Sequence, residues 1–138
     1  MRTIEAKKIY RVIDANFNRA KEALRVCEDV CRFFLNSKTV TSQYKDVRHR
    51  LTTVVSKLGV DEIMKARNVE GDPGKATTTT ELKRRSCADI FYANSQRAKE
   101  SVRVLEEFAK LTSSPAALGL KNIRYKIYEL EQTVVRKL

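Results

Sequence analysis

The chain has 138 residues, 42% hydrophobic and 33% charged, with three cysteines, one histidine and a formal net charge of +11. That length suits one domain that buries a core without disulfide or metal staples. The balance excludes a disordered chain and a membrane protein, since runs such as Phe33-Phe34-Leu35 are far too short to cross a bilayer.

The excess of positive charge favours anionic partners: nucleic acid, an anionic membrane or phosphorylated small molecules. Its basic residues are interleaved with Glu and Asp rather than gathered into a tail. The N-terminal MRTIEAKKIYRVIDANF has no apolar stretch leading to a small-residue cleavage site. No secretory signal is therefore expected, and the cytoplasm is the expected location.

From Ile13 onwards apolar residues recur in alternating steps of four and three, at Phe17, Ala20, Leu24, Cys27, Cys31 and Phe34. The spacing predicts a long amphipathic helix whose stripe is core, with Ala20 and Ala23 allowing close helix approach. Cys27 and Cys31 share one face of it. With His49 the only histidine they lack partners for a metal site, and they read as core thiols. Asn36-Ser37 is expected to end this helix, with Thr39 or Thr41 capping the next. Gly59, after VVSKL, suits a C-terminal cap, and Asp61 a cap for a short helix, DEIMKA. The segment from Ala66 to Glu81, ARNVEGDPGKATTTTE, is irregular and long enough to suggest a functional loop. Phe91, Ser95, Ala98, Val102, Leu105 and Ala109 then mark a second long helix, and Ser114-Pro115 starts the last one. No alternating run is long enough to predict a strand.

The sequence repeats itself. ANFNRAKEALRVCE at 15–28 matches ANSQRAKESVRVLE at 93–106, with identical pairs at Asn16/Asn94, Arg19/Arg97, Glu22/Glu100, Arg25/Arg103 and Glu28/Glu106. YKDVRHRL at 44–51 matches LKNIRYKI at 120–127, including Arg48/Arg124. The expected architecture is all-α: an antiparallel helical bundle of two duplicated helical hairpins with pseudo-twofold symmetry. One domain is expected over 1–138, with repeat 1 at about 11–58, a connecting helix and loop at 59–80 and repeat 2 at about 81–138. Bundle faces often pair again, so a homodimer is an open expectation.

The polar side of each long helix carries Asn-x-x-Arg-x-x-Glu, at Asn16, Arg19, Glu22 and at Asn94, Arg97, Glu100. Such residues are helix neighbours and can form a solvated ion-pair ladder of small energetic weight. Asn is a poor choice for helix stability alone, however, and the pattern occurs twice where the surface has otherwise diverged. The site reading is therefore the stronger one. The connecting segment adds Arg67, Asp72, Gly74 and Lys75. Gly-Asp-Pro-Gly-Lys is not a Walker loop, because only two residues separate the glycines and no strand precedes it. His49, beside Arg48, is open to reading as a general base or as a packed or surface residue.

The strings IDANFNRAKEALRVCEDVCRFF, VRHRL, ARNVEGDPG and ANSQRAKESVRVLEEF, in that order, resemble the all-helical hydroxymethylpyrimidine-phosphate kinase domain. That domain also occurs fused in front of thiamine-phosphate synthase in some bacteria. The resemblance runs from about Arg11 to Leu130, and the chain stops where a fused synthase would begin, so a standalone form is expected. Pro73, Cys27 and the lysine and threonine run after Gly74 depart from the family pattern.

The resemblance implies a phosphotransferase that uses ATP and Mg²⁺ to convert hydroxymethylpyrimidine phosphate to its diphosphate for thiamine biosynthesis. The acceptor phosphate, with a second pKa of about 6, is largely dianionic and needs no strong base. Bringing two polyanions together instead calls for arginines, a metal and positioning. Arg19, Glu22, Arg97 and Glu100 are the candidate catalytic residues. Asn16, Arg48, His49, Arg67, Asp72, Gly74, Asn94 and Arg124 are candidates for binding substrate and phosphate. Glu22, Glu100 and Asp72 are candidate magnesium ligands. The competing readings are a non-catalytic domain that partners or regulates thiamine-phosphate synthase, and a basic nucleic-acid-binding module. The absence of a binding motif, the few aromatics and the acidic residues on the polar faces argue against the second.

Overall fold

The computed structural model describes residues 3–138, and of Thr3, Val60, Thr80 and Glu81 the backbone alone. The described residues form α1 (Thr3–Asp29), α2 (Lys38–Ser56), α3 (Val60–Lys65), α4 (Cys87–Ala109) and α5 (Ser114–Val135). A turn of π-helix at Val30–Phe34 extends α1, and a 3₁₀ turn at Thr79–Leu82 precedes α4. As expected, no strand occurs among the described residues.

The apolar stripes dictate the packing. Ile13, Ala20, Leu24, Cys27 and Cys31 on α1, and Phe91, Ala98, Val102, Leu105 and Ala109 on α4, are buried. Burying a side chain such as Leu24 or Phe91 stabilises the fold by about 1.5–3 kcal/mol. Helix α1 packs on α4, α2 and α3, while α5 packs on α4 and α2. Cys27 Sγ, near the end of α1, lies 4.0 Å from the Phe91 carbonyl near the start of α4. At the opposite end of the bundle, a Cβ added at Gly119 early in α5 would lie 3.2 Å from Val54 Cγ2 late in α2. Neighbouring long helices therefore run antiparallel.

Phe34, expected as the last member of the first stripe, is 60% exposed. The Leu35 N–H donates to the Val30 carbonyl five residues back. This wider turn inserts a residue and rotates the stripe off the core after Cys31.

The helix ends differ from expectation by a residue or two. Asn36 adopts the left-handed conformation (φ 51°), and Ser37, not Thr39 or Thr41, occupies the N-cap of α2. Gly59 is left-handed (φ 94°), as a cap glycine should be, and it immediately precedes α3, leaving Asp61 in the first turn. Ser113 rather than Ser114 caps α5, accepting from the Ala116 N–H at 3.2 Å. In each case the cap fell to a small or polar neighbour already at the break.

One ion pair on a buried carboxylate ties each hairpin together. Arg48 Nε donates to Glu28 at 3.0 Å, linking α2 to α1, and Arg124 Nε donates to Glu106 at 2.8 Å, linking α5 to α4. Arg25 and Arg103 stand beside the same two carboxylates at 3.6 and 3.5 Å.

Candidate functional site

The segment after α3 is organised by its own side chains. Asn68 Oδ1 accepts the Gly71 N–H at 2.9 Å, and Asp72 Oδ1 accepts the Gly74 N–H at 2.8 Å. A Cβ at Gly71 would fall 2.5 Å from the Asn68 amide nitrogen, so a side chain there would disturb the turn. Arg67 fastens the segment to α1: Nε donates to Asp14 Oδ2 at 2.8 Å and Nη2 to Asp14 Oδ1 at 2.7 Å. This bidentate pair matches the planar fork of guanidinium to carboxylate, and its hydrogen bond raises the Arg67 pKa above the ordinary arginine value. Arg11 adds a further tie, donating from Nη2 to the Asn68 carbonyl at 3.1 Å.

A cleft of about 640 Å³ lies between α1 and this segment. Val12, Ala15, Val69 and Pro73 give it apolar walls, and Lys8, Arg11, Asn16, Asn18, Arg19 and Asp72 supply polar and charged groups. Lys8, Arg11 and Arg19 form no ion pair among the described residues. With Arg67 neutralised by Asp14, the cleft holds three uncompensated cations against one carboxylate, Asp72. An apolar slot rimmed by cations suits a planar organic anion.

Four of the sequence candidates, Asn16, Arg19, Arg67 and Asp72, thus meet in one cleft, with Gly74 next to its Pro73 wall. The Asn16 amide is partly committed: Nδ2 donates to the Val12 carbonyl at 2.9 Å, and Oδ1 faces Arg19 Nη1 at 3.4 Å. Glu22, one turn further along α1, is exposed and outside the cleft. The second copy of the motif lies elsewhere. Glu100 and Arg124 line a groove of about 370 Å³ on α4 and α5, with Gln96, Lys99, Arg103 and Tyr128. Its cations are already paired: Arg124 with Glu106, Arg103 with Glu106 and Glu107, and Lys99 with Glu131 at 2.7 Å. Arg97 is exposed, and the Asn94 amide donates to the Ile90 carbonyl at 2.8 Å, just as Asn16 does to Val12. Arg48 is committed to its buried pair, and His49 is exposed on α2. The structure therefore does not gather Glu22, Glu100 and Asp72 into one place. Among the described residues no cluster of three or more His, Cys, Asp or Glu could hold a metal ion.

Lys8, Arg11, Asp14 and Asn18 were missed from the sequence. A signal for Asp14 was present: at the repeat offset its counterpart is Tyr92, so the two copies differ just where only one meets the connecting loop.

Cys27 and Cys31 are buried. Desolvation pushes both thiols up, Cys31 to about 11, in keeping with core thiols. No helix among the described residues is long and apolar enough to cross a membrane.

Three relatives named thiamine-phosphate synthase show the extent of the likeness. The protein from Nostoc punctiforme is 38% identical over 128 residues, 92% of this chain and 35% of that one. The one from Thermosynechococcus vestitus is 34% identical over 131 residues, 94% of this chain and 36% of that one. The one from Parasynechococcus marenigrum is 39% identical over 127 residues, 91% of this chain and 35% of that one. The chain thus spans about a third of the length of the curated relatives it matches. No solved structure matches it. The model of the ThiD2 family matches residues 11–133, nearly the whole chain, and the chain belongs to that family.

Proposed function

We propose that this chain works in thiamine biosynthesis as a kinase, transferring phosphate from ATP to hydroxymethylpyrimidine phosphate, with the α1–loop cleft holding the acceptor. The observation that carries this reading is the cleft itself, where Lys8, Arg11 and Arg19 surround an apolar slot and pair with no carboxylate among the described residues. The slot suits a pyrimidine ring and the cations its phosphate. Family membership and the names of the relatives supply the pathway.

The fit to magnesium is partial but chemically ordinary. Mg²⁺ in phosphoryl-transfer sites is held through one or two carboxylates and the substrate phosphates, keeping several waters. Asp72 is the one carboxylate in the cleft left to serve it, since Asp14 is occupied by Arg67. When bound, the metal would neutralise charge on the transferring phosphates. The protein's share is positioning: Arg19 and Arg11 to orient the acceptor phosphate, Asp14 to hold Arg67 and with it the loop carrying Asp72. Glu22, Arg97 and Glu100 have no role in this version of the site. We also read the two hairpins as pseudo-twofold related, on the recurrence of the Glu28–Arg48 contact as Glu106–Arg124.

A second reading rests on a separate observation: the relatives are named for synthase activity and are about three times as long. On that reading the chain is a non-catalytic helical domain that partners or regulates thiamine-phosphate synthase. Incubation with ATP, Mg²⁺ and hydroxymethylpyrimidine phosphate separates the two. Magnesium-dependent formation of ADP and the diphosphate is the kinase result. A folded, helical protein that yields neither favours the partner domain.

A further inference from the structure

Helix α5 buries one face, through Leu120, Ile123, Ile127, Leu130 and Val134, and leaves another without cover. On the uncovered side Leu118, Tyr125, Tyr128 and Val135 are 59, 51, 45 and 40% exposed. With Lys121 and Gln132 they occupy alternating steps of three and four, the seam spacing of two packed helices. The stripe runs for about 25 Å at 1.5 Å per residue. Four large apolar side chains in one line on one helix are unlike the scattered surface residues that need no explanation.

We infer that this face of α5 binds the same face of a second copy of the chain, with the two helices antiparallel. The pattern is self-complementary, as a twofold interface requires: when residue i meets residue j, j must meet i. Turned about the Lys126–Ile127 peptide, the stripe sets Leu118 against Val135, Tyr125 against Tyr128, and Lys121 against Gln132. Apolar residues meet apolar, aromatic meet aromatic, and polar meet polar.

The charges agree. Lys121 lies toward one end of the face and Glu129 toward the other, while Arg124 and Glu131 are held within the chain by Glu106 and Lys99. An antiparallel partner brings Lys121 of one copy beside Glu129 of the other, whereas a parallel partner would place like on like. Within each copy Tyr125 and Tyr128 already touch, with ring centroids 6.2 Å apart, and Lys121 and Arg124 stand 5.8 and 5.1 Å from the Tyr125 ring. The dimer would gather four tyrosines at its axis, the residue type that most often anchors an interface. Two copies at +11 each repel one another, so the association is best sought near 0.15 M salt, where the Debye length is about 8 Å.

The test combines mass measurement and directed crosslinking on the full chain. Light scattering across a concentration series should give a dimer. Tyr125→Glu should weaken it roughly 30-fold while leaving the circular dichroism unchanged. Lys121→Glu should also weaken it, and Lys121→Glu with Glu129→Lys should restore it. Leu118→Cys and Val135→Cys are made as separate proteins. On mild oxidation only their mixture should form a disulfide dimer beyond the wild-type background, and this arm stands even if Tyr125→Glu fails to fold. A wild type that stays monomeric throughout would overturn the inference. So would a dimer indifferent to these variants, or a mixture that crosslinks no more than wild type.

Discussion

Arg67 lies with two of its guanidinium nitrogens on the two oxygens of Asp14, at 2.8 and 2.7 Å, across 53 positions of sequence. The pair is lopsided in exposure, the arginine side chain being 44% accessible and the aspartate 7%. Such a half-open pair adds little to global stability. Its consequence is local: it sets where the loop carrying Asp72 stands relative to Arg19.

Asp14→Asn is therefore expected to cost less than about 1 kcal/mol in urea unfolding. The same change should raise the KM for hydroxymethylpyrimidine phosphate about tenfold, and hydrogen exchange of the 66–72 amides should quicken. An unchanged KM together with faster exchange would separate the loop from the site.

Arg48 offers the opposite case. Its side chain and that of Glu28 are 10% and 5% exposed, so removing one strands the other. Arg48→Ala is expected to cost about 3 kcal/mol, at the lower end for a broken buried pair because Arg25 remains near Glu28. KM measured on the folded fraction should not move. A phosphate ligand would behave the other way, with intact stability and a raised KM.

His49 is exposed on α2 and outside the cleft. His49→Ala should leave kcat and KM within twofold of wild type, as expected where the acceptor is already ionised near neutral pH. Activity lost in that variant, with folding intact, would relocate the site to α2.

The buried thiols make the fold sensitive to alkaline pH. Cys27 and Cys31 are both raised from an ordinary 9.0, first by desolvation, and burial raises Tyr44 as well. A raised pKa means that the folded state keeps protons the unfolded chain releases. The contribution is fully present below pH 9 and is lost as pH rises through 9 towards 11. Urea midpoints should fall over that interval, and less steeply in Cys31→Ala than in wild type. At pH 8 a thiol reagent should modify half-buried Cys87 first and reach Cys27 and Cys31 only on unfolding.

The helices were legible because burial imposes a period. Ile13 to Cys31 and Phe91 to Ala109 kept the steps of three and four that a core-facing helix must keep. The π-turn was not legible, since one inserted residue changes hydrogen bonding without changing composition, and Phe34 left the core as a result. The repeat marked Asn16, Arg19 and their counterparts as special but could not say that the copies have different surroundings. Only the copy near the connecting loop meets Asp72 and Arg67, while of the other copy Glu100 alone lines a groove, one whose cations are already paired. Arg48 and Arg124 read as free cations because nothing local in the sequence shows that a carboxylate twenty or eighteen residues earlier points at them. Asp14 stands inside the string IDANF, but its partner Arg67 is 53 positions away in the chain.

The most direct test of the cleft as the acceptor site is calorimetric titration of hydroxymethylpyrimidine phosphate into wild type, Arg19→Ala and His49→Ala. Saturable binding by wild type and His49→Ala, weakened about tenfold or more in Arg19→Ala by loss of a charged hydrogen-bond partner, is the expected result. Equal binding by all three, or none by wild type, would contradict the placement of the acceptor between α1 and the loop.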